Sequence, residues 1–139
     1  MKHEIQTETI NALFEAWNSH ELERIISFYT PQCESIDIAQ PPTQRGQIDM
    51  RQWIAGYLQA VPDIQFLCEE IISEDNRAVA VWNATGTHRG FLMNIPPTHK
   101  TLSVRGVSVF SFAENRIDRV LNVWDVAELL RDIGLLPEL

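Results

Sequence analysis

The hydrophobic period of the sequence changes at Pro62-Asp63. Before this point, apolar residues recur every three or four positions, which predicts amphipathic helices. After it, β-branched and aromatic runs alternate with short polar turns, which is typical of strands. A chain that places helices ahead of an antiparallel meander is expected to form an α+β fold, with the helices packed on one face of the sheet. Its length of 139 residues predicts a single domain over residues 1–139.

The individual segments can be placed along the chain from the same pattern. Helices are predicted near the N-terminus and over residues 20–29, 48–60 and 127–133. Strands are predicted over residues 33–39, 64–73, 77–88, 101–112 and 116–126. The polar turns at residues 74–76 and 114–115 predict that the last four strands form two antiparallel hairpins joined by a long connection.

Charge and cysteine content exclude several classes of protein. The formal net charge is −8 and no basic stripe is present, so nucleic acid is not an expected partner. No apolar run approaches the roughly 20 residues that cross a bilayer, and the N-terminus lacks the apolar core of a signal peptide. Cys33 and Cys68 are far apart, which indicates neither a zinc site nor a disulfide. We therefore expect a cytoplasmic protein with reduced thiols, no metal, no cofactor and no membrane contact.

The strand predicted at residues 77–88 has no clearly solvated face. One face begins with Ala78 and Ala80 and contains Trp82, and the other begins with Val79 and Val81. Burial of both faces of an antiparallel strand requires cover on both sides, for instance helices on one face and a partner subunit on the other. The small residues could leave a cavity in a curved sheet or could allow close packing of a helix. Both alternatives remain open at this level.

Five motifs, in order along the chain, carry a resemblance to a known family. They are GTHRG at 86–90, IPPT at 95–98, VRGVSVF at 104–110, WD at 124–125 and LLRDIGLLP at 129–137. Together they resemble the SnoaL-like polyketide cyclases, and Gly46 and the PDI run at 62–64 fit the same pattern. One departure is His99, where the family commonly has glycine.

The resemblance implies a fold and an activity. The implied fold is the cone-shaped α+β barrel of the nuclear transport factor 2-like and ketosteroid isomerase-like superfamily. In it, N-terminal helices pack on the concave face of a curved, mainly antiparallel sheet around an apolar pocket, and the outer sheet face often forms a homodimer. The implied reaction is a cofactor-free intramolecular aldol condensation of an aromatic polyketide ester, with an aspartate as acid and base. The matching position is Asp125.

Asp125 and His88 are the candidate catalytic residues. Asp125 follows an apolar row that is predicted to share one strand face, namely Ile117, Leu121 and Val123. If that face lines a pocket, Asp125 would act as a desolvated acid and base; the alternative is an N-cap for the last helix. His88 could polarise a substrate carbonyl, or it could pin the loop that follows.

His99, together with the neighbouring Lys100, is expected to be solvated, and two histidines separated by a long loop do not indicate a metal site.

The substrate-binding prediction centres on residues 86–100, which are expected to cross the mouth of a pocket as a lid. Its apolar residues Phe91, Leu92, Met93 and Ile95 are predicted to face the ligand. Trp17, Trp53 and Trp82 lie on the apolar faces of predicted helices and strands, where tryptophans more often form the core than a ligand-binding surface. If a cavity exists, their rings would suit a flat polycyclic ligand. The predicted function is acid/base chemistry on an apolar, carbonyl-bearing small molecule. The alternatives are a non-catalytic binding protein and an isomerase or hydrolase on the same fold.

Overall fold

The computed structural model describes residues 2–138 and confirms the α+β class. Four helices and six strands are formed along this range. They are α1 (Lys2–Asn18), α2 (Leu22–Ser27), β1 (Tyr29–Asp37), β2 (Gln44–Arg45), α3 (Gly46–Ala60), β3 (Gln65–Glu74), β4 (Arg77–Thr87), β5 (Thr101–Ala113), β6 (Arg116–Trp124) and α4 (Val126–Asp132). In the described part of the chain, no helix is long and apolar enough to cross a membrane.

The six strands form one curved sheet in the order β2-β1-β6-β5-β4-β3. All neighbouring pairs are antiparallel except β1 and β6, which are parallel. The two predicted hairpins, β3-β4 and β5-β6, are confirmed. The sheet does not close between its end strands β2 and β3, so the expected cone is an open, curved sheet covered by helices.

The helices cover one face of the sheet with their predicted apolar stripes. In α1, the buried residues include Ile10, Leu13, Phe14 and Trp17, which recur at helical spacing and lie against β3. Helix α3 buries Met50 and packs beside β1. The core therefore lies between this helical layer and the inner face of the sheet.

Gly106 makes room on the inner face of β5 for a large aromatic side chain. It is the register partner of Trp82 on one side and of Trp124 on the other. A Cβ atom added at Gly106 would lie 2.3 Å from Trp82 Cζ2, far below any real contact distance. The indole of Trp82 therefore lies directly over the glycine, which keeps the ring close to the sheet.

A bulge in β6 reverses the expected orientation of its side chains. Phe112 pairs with Ile117, but the preceding Ser111 pairs with Arg119, so Asp118 is an extra residue in β6. An extra residue moves every later side chain to the opposite face. The prediction that Ile117 shares a face with Leu121 and Val123 is therefore wrong, and the inner row after the bulge is Val120, Asn122 and Trp124.

The segment around α2 also differs from the sequence prediction. His20 adopts a left-handed backbone conformation with φ of 59°, and the helix begins only at Leu22. Strand β1 begins at Tyr29, four residues earlier than predicted, because its first residues continue directly from this short helix into the sheet. Its parallel pairing with β6 joins segments more than eighty positions apart, which no local pattern encodes.

Candidate functional site

The space between the helices and the inner face of the sheet contains a cavity of about 100 Å³, which we call the inner chamber. Its walls are mainly aliphatic and aromatic side chains from α1, α3 and strands β3 to β6. All four tryptophans of the chain take part in its lining, namely Trp17, Trp53, Trp82 and Trp124. Both alternatives left open by the small residues of β4 occur along the strand, because Ala84 lines the cavity, whereas Ala78 and Ala80 are fully buried outside its lining.

The aromatic rings of the inner chamber pack edge to face in a continuous series. Phe66 contacts Trp17 and Trp82 with ring centroids 5.5 and 5.3 Å apart, and Trp53 contacts Trp17 and Tyr57 at 6.3 and 5.3 Å. Such T-shaped pairs stabilise one another beyond their burial. The rings form rigid walls that suit a flat, apolar ligand.

One carboxylate, that of Asp37 at the end of β1, lies in this apolar lining. Asp37 is only 4% exposed. Its Oδ1 accepts hydrogen bonds from Trp124 Nε1 and from the backbone N of Ala39, both at 3.0 Å. Its Oδ2 accepts a short hydrogen bond from the Tyr57 hydroxyl. Three donors thus compensate the burial of the negative charge and hold the carboxylate in one orientation.

Tyr57 joins this carboxylate to the mouth of the cavity. Its hydroxyl donates to Asp37 and accepts from Gln40 Nε2 at 2.5 Å. Burial raises the pKa of Tyr57 well above its usual value, and the nearby charge of Asp37 adds to the effect. The phenol therefore remains protonated at neutral pH and acts as a hydrogen-bond donor.

A second polar group in the inner chamber is a chain of hydrogen bonds across β4, β5 and β6. Trp82 Nε1 donates to Ser108 Oγ at 2.9 Å, and Ser108 in turn donates to Asn122 Oδ1 at 2.6 Å. With the hydroxyl proton directed at the asparagine oxygen, the NH₂ end of the Asn122 amide points away from Ser108. No described residue accepts from Asn122 Nδ2, so its N–H groups are available to a ligand.

A second cavity of about 280 Å³, the outer chamber, lies on the other side of Trp53, Tyr57 and Leu92, which line both spaces. It is more polar than the inner chamber and is open toward solvent. Its remaining lining residues are Gln40, Gln44, Gln52, Gly56, Phe91 and Met93. The two chambers therefore adjoin at these three side chains, and Asp37 lines the inner one.

The connection between β4 and β5 crosses the mouth of the site. Its four residues that were predicted to face the ligand lie in different surroundings. Leu92 is 5% exposed and lines both chambers, whereas Phe91 and Met93 line only the outer chamber. Ile95 packs against the core and lines neither chamber. Leu92 and Ile95 exchange backbone hydrogen bonds of 2.7 and 3.1 Å around a tight turn. Because of this turn, the two side chains do not face one ligand together, as the residues of an open lid would.

The base of this connection is fixed to the end of α3. The backbone N atoms of Arg89 and Gly90 donate to the Ala60 carbonyl at 2.9 and 3.1 Å. A Cβ atom at Gly90 would lie 2.4 Å from the Gln59 carbonyl oxygen, so only glycine permits this approach. The segment therefore contacts the rest of the protein at both its base and its tip.

The structure does not place Asp125 in either chamber. Asp125 is exposed and caps α4, where its Oδ1 accepts from the backbone N of Glu128 at 3.0 Å. The expected pocket-facing position is wrong because the bulge in β6 turns the row containing Val123 outward. The capping alternative describes the geometry found.

His88 is fully buried but also lies outside the lining of both chambers. Its Nδ1 accepts from the backbone N of Thr98 at 3.2 Å and lies 3.0 Å from the Thr98 hydroxyl. It thereby connects the two ends of the loop that crosses the mouth, as the loop-pinning alternative predicts. Its Nε2 is buried without a partner among the described residues.

Of the tryptophans predicted to bind substrate, Trp17, Trp53 and Trp82 all line the inner chamber. The polar residues Asp37, Tyr57 and Asn122 were missed by the sequence reasoning. In the described residues, no group of three or more His, Cys, Asp or Glu side chains is arranged to hold a metal ion.

This combination of an open curved sheet, covering helices and an apolar chamber agrees with the family resemblance. The sequence model of the SnoaL-like polyketide cyclase family matches residues 7–133, and the chain belongs to this family. Family membership gives the protein a general cyclase-like role. No curated protein matches the chain.

Solved structures share the fold at low sequence identity. AclR of Streptomyces galilaeus, described as a candidate hydroxylase, is 25% identical with a TM-score of 0.85, covering 99% of this chain and 85% of its own. A candidate SnoaL-like polyketide cyclase from Jannaschia sp. CCS1 is 20% identical with a TM-score of 0.88, covering 97% and 95%. TerC, crystallised with polyporic acid, is 16% identical with a TM-score of 0.76, covering 93% and 98%.

Proposed function

We propose that the protein binds an apolar, carbonyl-bearing small molecule in the inner chamber and catalyses a cofactor-free, aldol-type ring closure. Asp37 is the acid and base, and Asn122 is the donor that stabilises the enolate oxygen. The observation that carries the proposal is a buried carboxylate within an otherwise apolar cavity, next to an amide donor on the neighbouring strand. The fold neighbour TerC was crystallised with polyporic acid, which supports small-molecule binding by a protein of this fold.

The environment of Asp37 suits proton transfer from carbon. A carboxylate that is shielded from water does not have to shed a hydration shell before it removes a proton. Its hydrogen bonds from Trp124 and Ala39 hold Oδ1 in place, whereas Oδ2 accepts a single hydrogen bond, from Tyr57. A ligand that displaces the Tyr57 hydroxyl from Oδ2 would expose the basic oxygen.

The proton transfers of the reaction need no group beyond Asp37. Asp37 removes a proton from a carbon flanked by carbonyls, and the resulting enolate carbon forms a bond to a second carbonyl carbon of the same molecule. The alkoxide formed at that carbonyl takes the proton back from Asp37. One carboxyl group thus acts first as base and then as acid, and the product differs from the substrate only by its new ring.

Asn122 is placed to stabilise the negative charge that develops on oxygen during this reaction. Its amide is oriented by Ser108, so the free N–H groups need no reorganisation when the charge appears. Burial in a chamber with few polar atoms strengthens such a hydrogen bond.

The experiment follows the first half of the reaction with a simple probe. 2-Tetralone, an apolar bicyclic ketone, exchanges its activated C–H protons in D₂O, and NMR measures the rate. We expect the wild-type protein to accelerate exchange over buffer and Asp37→Asn to reduce the acceleration by about a hundredfold. The matched control is Asp125→Asn, which retains its capping ability and is expected to exchange at the wild-type rate. Loss of exchange in Asp125→Asn with retention in Asp37→Asn would reverse the assignment of the base.

A non-catalytic binding protein is the second candidate function, and one observation favours it. Both oxygens of Asp37 are already occupied by protein donors. A carboxylate used only to hold Tyr57 and Trp124 in place would look the same. The exchange experiment separates the two functions, because a binder would take up 2-tetralone without accelerating its exchange.

The outer face of the sheet supports the proposed homodimer. Two rows of aliphatic side chains cross neighbouring strands at this face. One row contains Ile72, Val79, Val109 and Leu121, and the other contains Val81, Val107 and Val123. Ile72 is 57% and Val123 is 43% exposed. A contiguous aliphatic surface of this kind on a sheet face is expected to be covered by another protein surface, and a second copy offers the same rows.

A further inference from the structure

The outer chamber adjoins the inner chamber and shares Trp53, Tyr57 and Leu92 with it. We propose that it binds a neutral, hydroxyl-bearing substituent of the ligand, such as a sugar, while the apolar ring system of the same ligand lies in the inner chamber. The inference rests on the proposed binding of a small molecule in the inner chamber. It adds that the natural ligand has two parts of different polarity.

The adjacency of the two chambers supports a two-part ligand. The inner chamber has a volume of about 100 Å³, and the outer chamber has about 280 Å³. Trp53, Tyr57 and Leu92 line both spaces, so the chambers meet at this wall, where one ligand would contact both. The outer chamber includes the exposed side chains of Gln52 and Phe91, so the part of the ligand placed there lies nearer to solvent.

The polar side chains of the outer chamber select a neutral group. Among the described residues that line it, none carries a charge, and three are glutamines, namely Gln40, Gln44 and Gln52. A charged substituent would find no counter-ion in this lining and would lose part of its hydration. A neutral group with several hydrogen-bonding atoms matches the site better.

The orientation of two glutamine amides further indicates a hydrogen-bond donor in the ligand. Tyr57 donates its proton to Asp37, so the Tyr57 oxygen can only accept from the NH₂ end of Gln40. Gln44 Nε2 donates to the Pro42 carbonyl at 2.9 Å, and a carbonyl likewise requires the NH₂ end. The side-chain carbonyl oxygens of Gln40 and Gln44 therefore have no donor among the described residues. Ligand hydroxyl groups can supply these donors.

Gln52 and Phe91 complete the site. The Gln52 side chain makes no hydrogen bond within the described part of the chain and can donate or accept. Phe91 lines the outer chamber and is 69% exposed, so its ring is accessible to a ligand in that chamber. Its ring offers a flat, electron-rich face on which the C–H groups of a sugar ring can pack.

The test compares two probes that differ only by the sugar. 2-Naphthol represents the apolar part, and 2-naphthyl β-D-glucoside adds a neutral hydroxylated part. Binding is measured by calorimetry and by quenching of the tryptophan fluorescence, since all four tryptophans line the inner chamber. We expect the glucoside to bind about tenfold more tightly than 2-naphthol, which corresponds to one or two net hydrogen bonds.

Variants assign this difference to the outer chamber. Gln44→Ala and Gln52→Ala, combined, are expected to remove the preference for the glucoside and to leave the affinity for 2-naphthol unchanged. The matched control is Gln59→Ala, which removes an exposed glutamine of the same helix as Gln52 that lines neither chamber. This control is expected to keep the tenfold preference.

The outcomes separate the inference from the function on which it rests. Binding of 2-naphthol with equal or weaker binding of the glucoside would overturn the inference and leave the proposed small-molecule function standing. A glucoside preference that survives in the double glutamine variant would also overturn it. Absence of binding by both probes would contradict the proposed function and the inference together.

Discussion

Asp37 and Asn122 are register partners in the parallel pairing of β1 and β6, and both line the inner chamber. A proton acceptor and a hydrogen-bond donor therefore lie side by side on neighbouring strands. The strands are rigid supports, so the spacing of the two groups is held by the backbone of the sheet. This arrangement, more than any single residue, distinguishes the site from an ordinary apolar core.

Replacement of the Asn122 amide tests the role of the donor. Asn122→Ala removes the N–H groups and is expected to slow the exchange of 2-tetralone by a hundredfold or more, as loss of an oxyanion donor typically does. Binding of 2-naphthol should be retained. The control is Ser108→Ala, which loosens the amide without removing it and is expected to have a smaller effect. Equal rates in wild type and Asn122→Ala would exclude a role in charge stabilisation.

The capping oxygen of Asp125 should contribute to the stability of the protein, and Asp125 should not affect the proton exchange of 2-tetralone. Asp125→Ala removes the cap of α4 and is expected to lower the free energy of unfolding by about 1 kcal/mol. Asp125→Asn keeps the capping oxygen and should unfold at nearly the same urea concentration as wild type. An equally large loss in both variants would point to the charge instead of the cap.

Leu92 and Met93 are adjacent but are expected to respond differently to truncation. Leu92 is buried, so Leu92→Ala should lower the free energy of unfolding by about 2 kcal/mol or more. Met93 is half-buried and lines the outer chamber, so Met93→Ala should leave thermal unfolding nearly unchanged and weaken glucoside binding. A similar loss of stability in both variants would make the whole turn part of the core.

Asp63 connects the end of α3 to the end of β4 and should make stability dependent on pH. Burial raises its pKa, but hydrogen bonds at 2.8 Å from the Thr87 hydroxyl and backbone N outweigh this, and the net pKa is lowered. A lowered folded-state pKa gives stability that is complete above the unfolded pKa of about 3.9 and is lost as pH falls through the folded value.

The corresponding variant is Asp63→Asn, measured by urea unfolding at two pH values. At pH 7 it should be less stable than wild type by on the order of 1 kcal/mol, since solvent screens this exposed group. As pH falls below the unfolded pKa of about 3.9, the difference should shrink, because wild-type Asp63 is progressively protonated as well. A difference that is constant with pH would show that the carboxylate charge is not involved.

A charge placed in the aliphatic rows of the outer sheet face tests the homodimer. Val107→Glu introduces a carboxylate at the centre of the β5 face and is expected to give a monomer by light scattering at micromolar concentration. Ile48→Glu is the control, because Ile48 is 74% exposed on α3 and lies away from the sheet face. A monomeric wild-type protein would contradict the proposed assembly.

Much of the fold follows from local patterns in the sequence. Helical spacing of residues such as Leu13 and Trp17 located α1, and the polar turns located the two hairpins. The pairing of β1 with β6 could not be predicted, because it depends on contacts between distant segments. The small residues of β4 were compatible with a cavity but could not distinguish it from close packing.

The candidate site was predicted only in its apolar part. Trp17, Trp53, Trp82 and Leu92, which the sequence suggested as ligand-binding residues, line the inner chamber, whereas the expected base, Asp125, does not. Asp37 could have been recognised from its alternation with the buried Cys33 and Ser35, which places all three on one face of β1. That signal is weak, because an aspartate near a proline-rich loop is also typical of a surface turn.

The extra residue Asp118 sets the phase of the last strand. With it, the amide of Asn122 and the indole of Trp124 turn inward, while Leu121 and Val123 turn outward. The Thr30 hydroxyl of β1 donates a hydrogen bond of 2.7 Å to Asp118 Oδ1, and this contact stabilises the bulge from the neighbouring strand. In a chain one residue shorter at this point, the β6 side chains after the bulge would lie on the opposite faces of the sheet. Leu121 and Val123 would then face the inner chamber, and the amide of Asn122 would face the outer side of the sheet, so this one residue decides whether the cavity wall offers a hydrogen-bond donor.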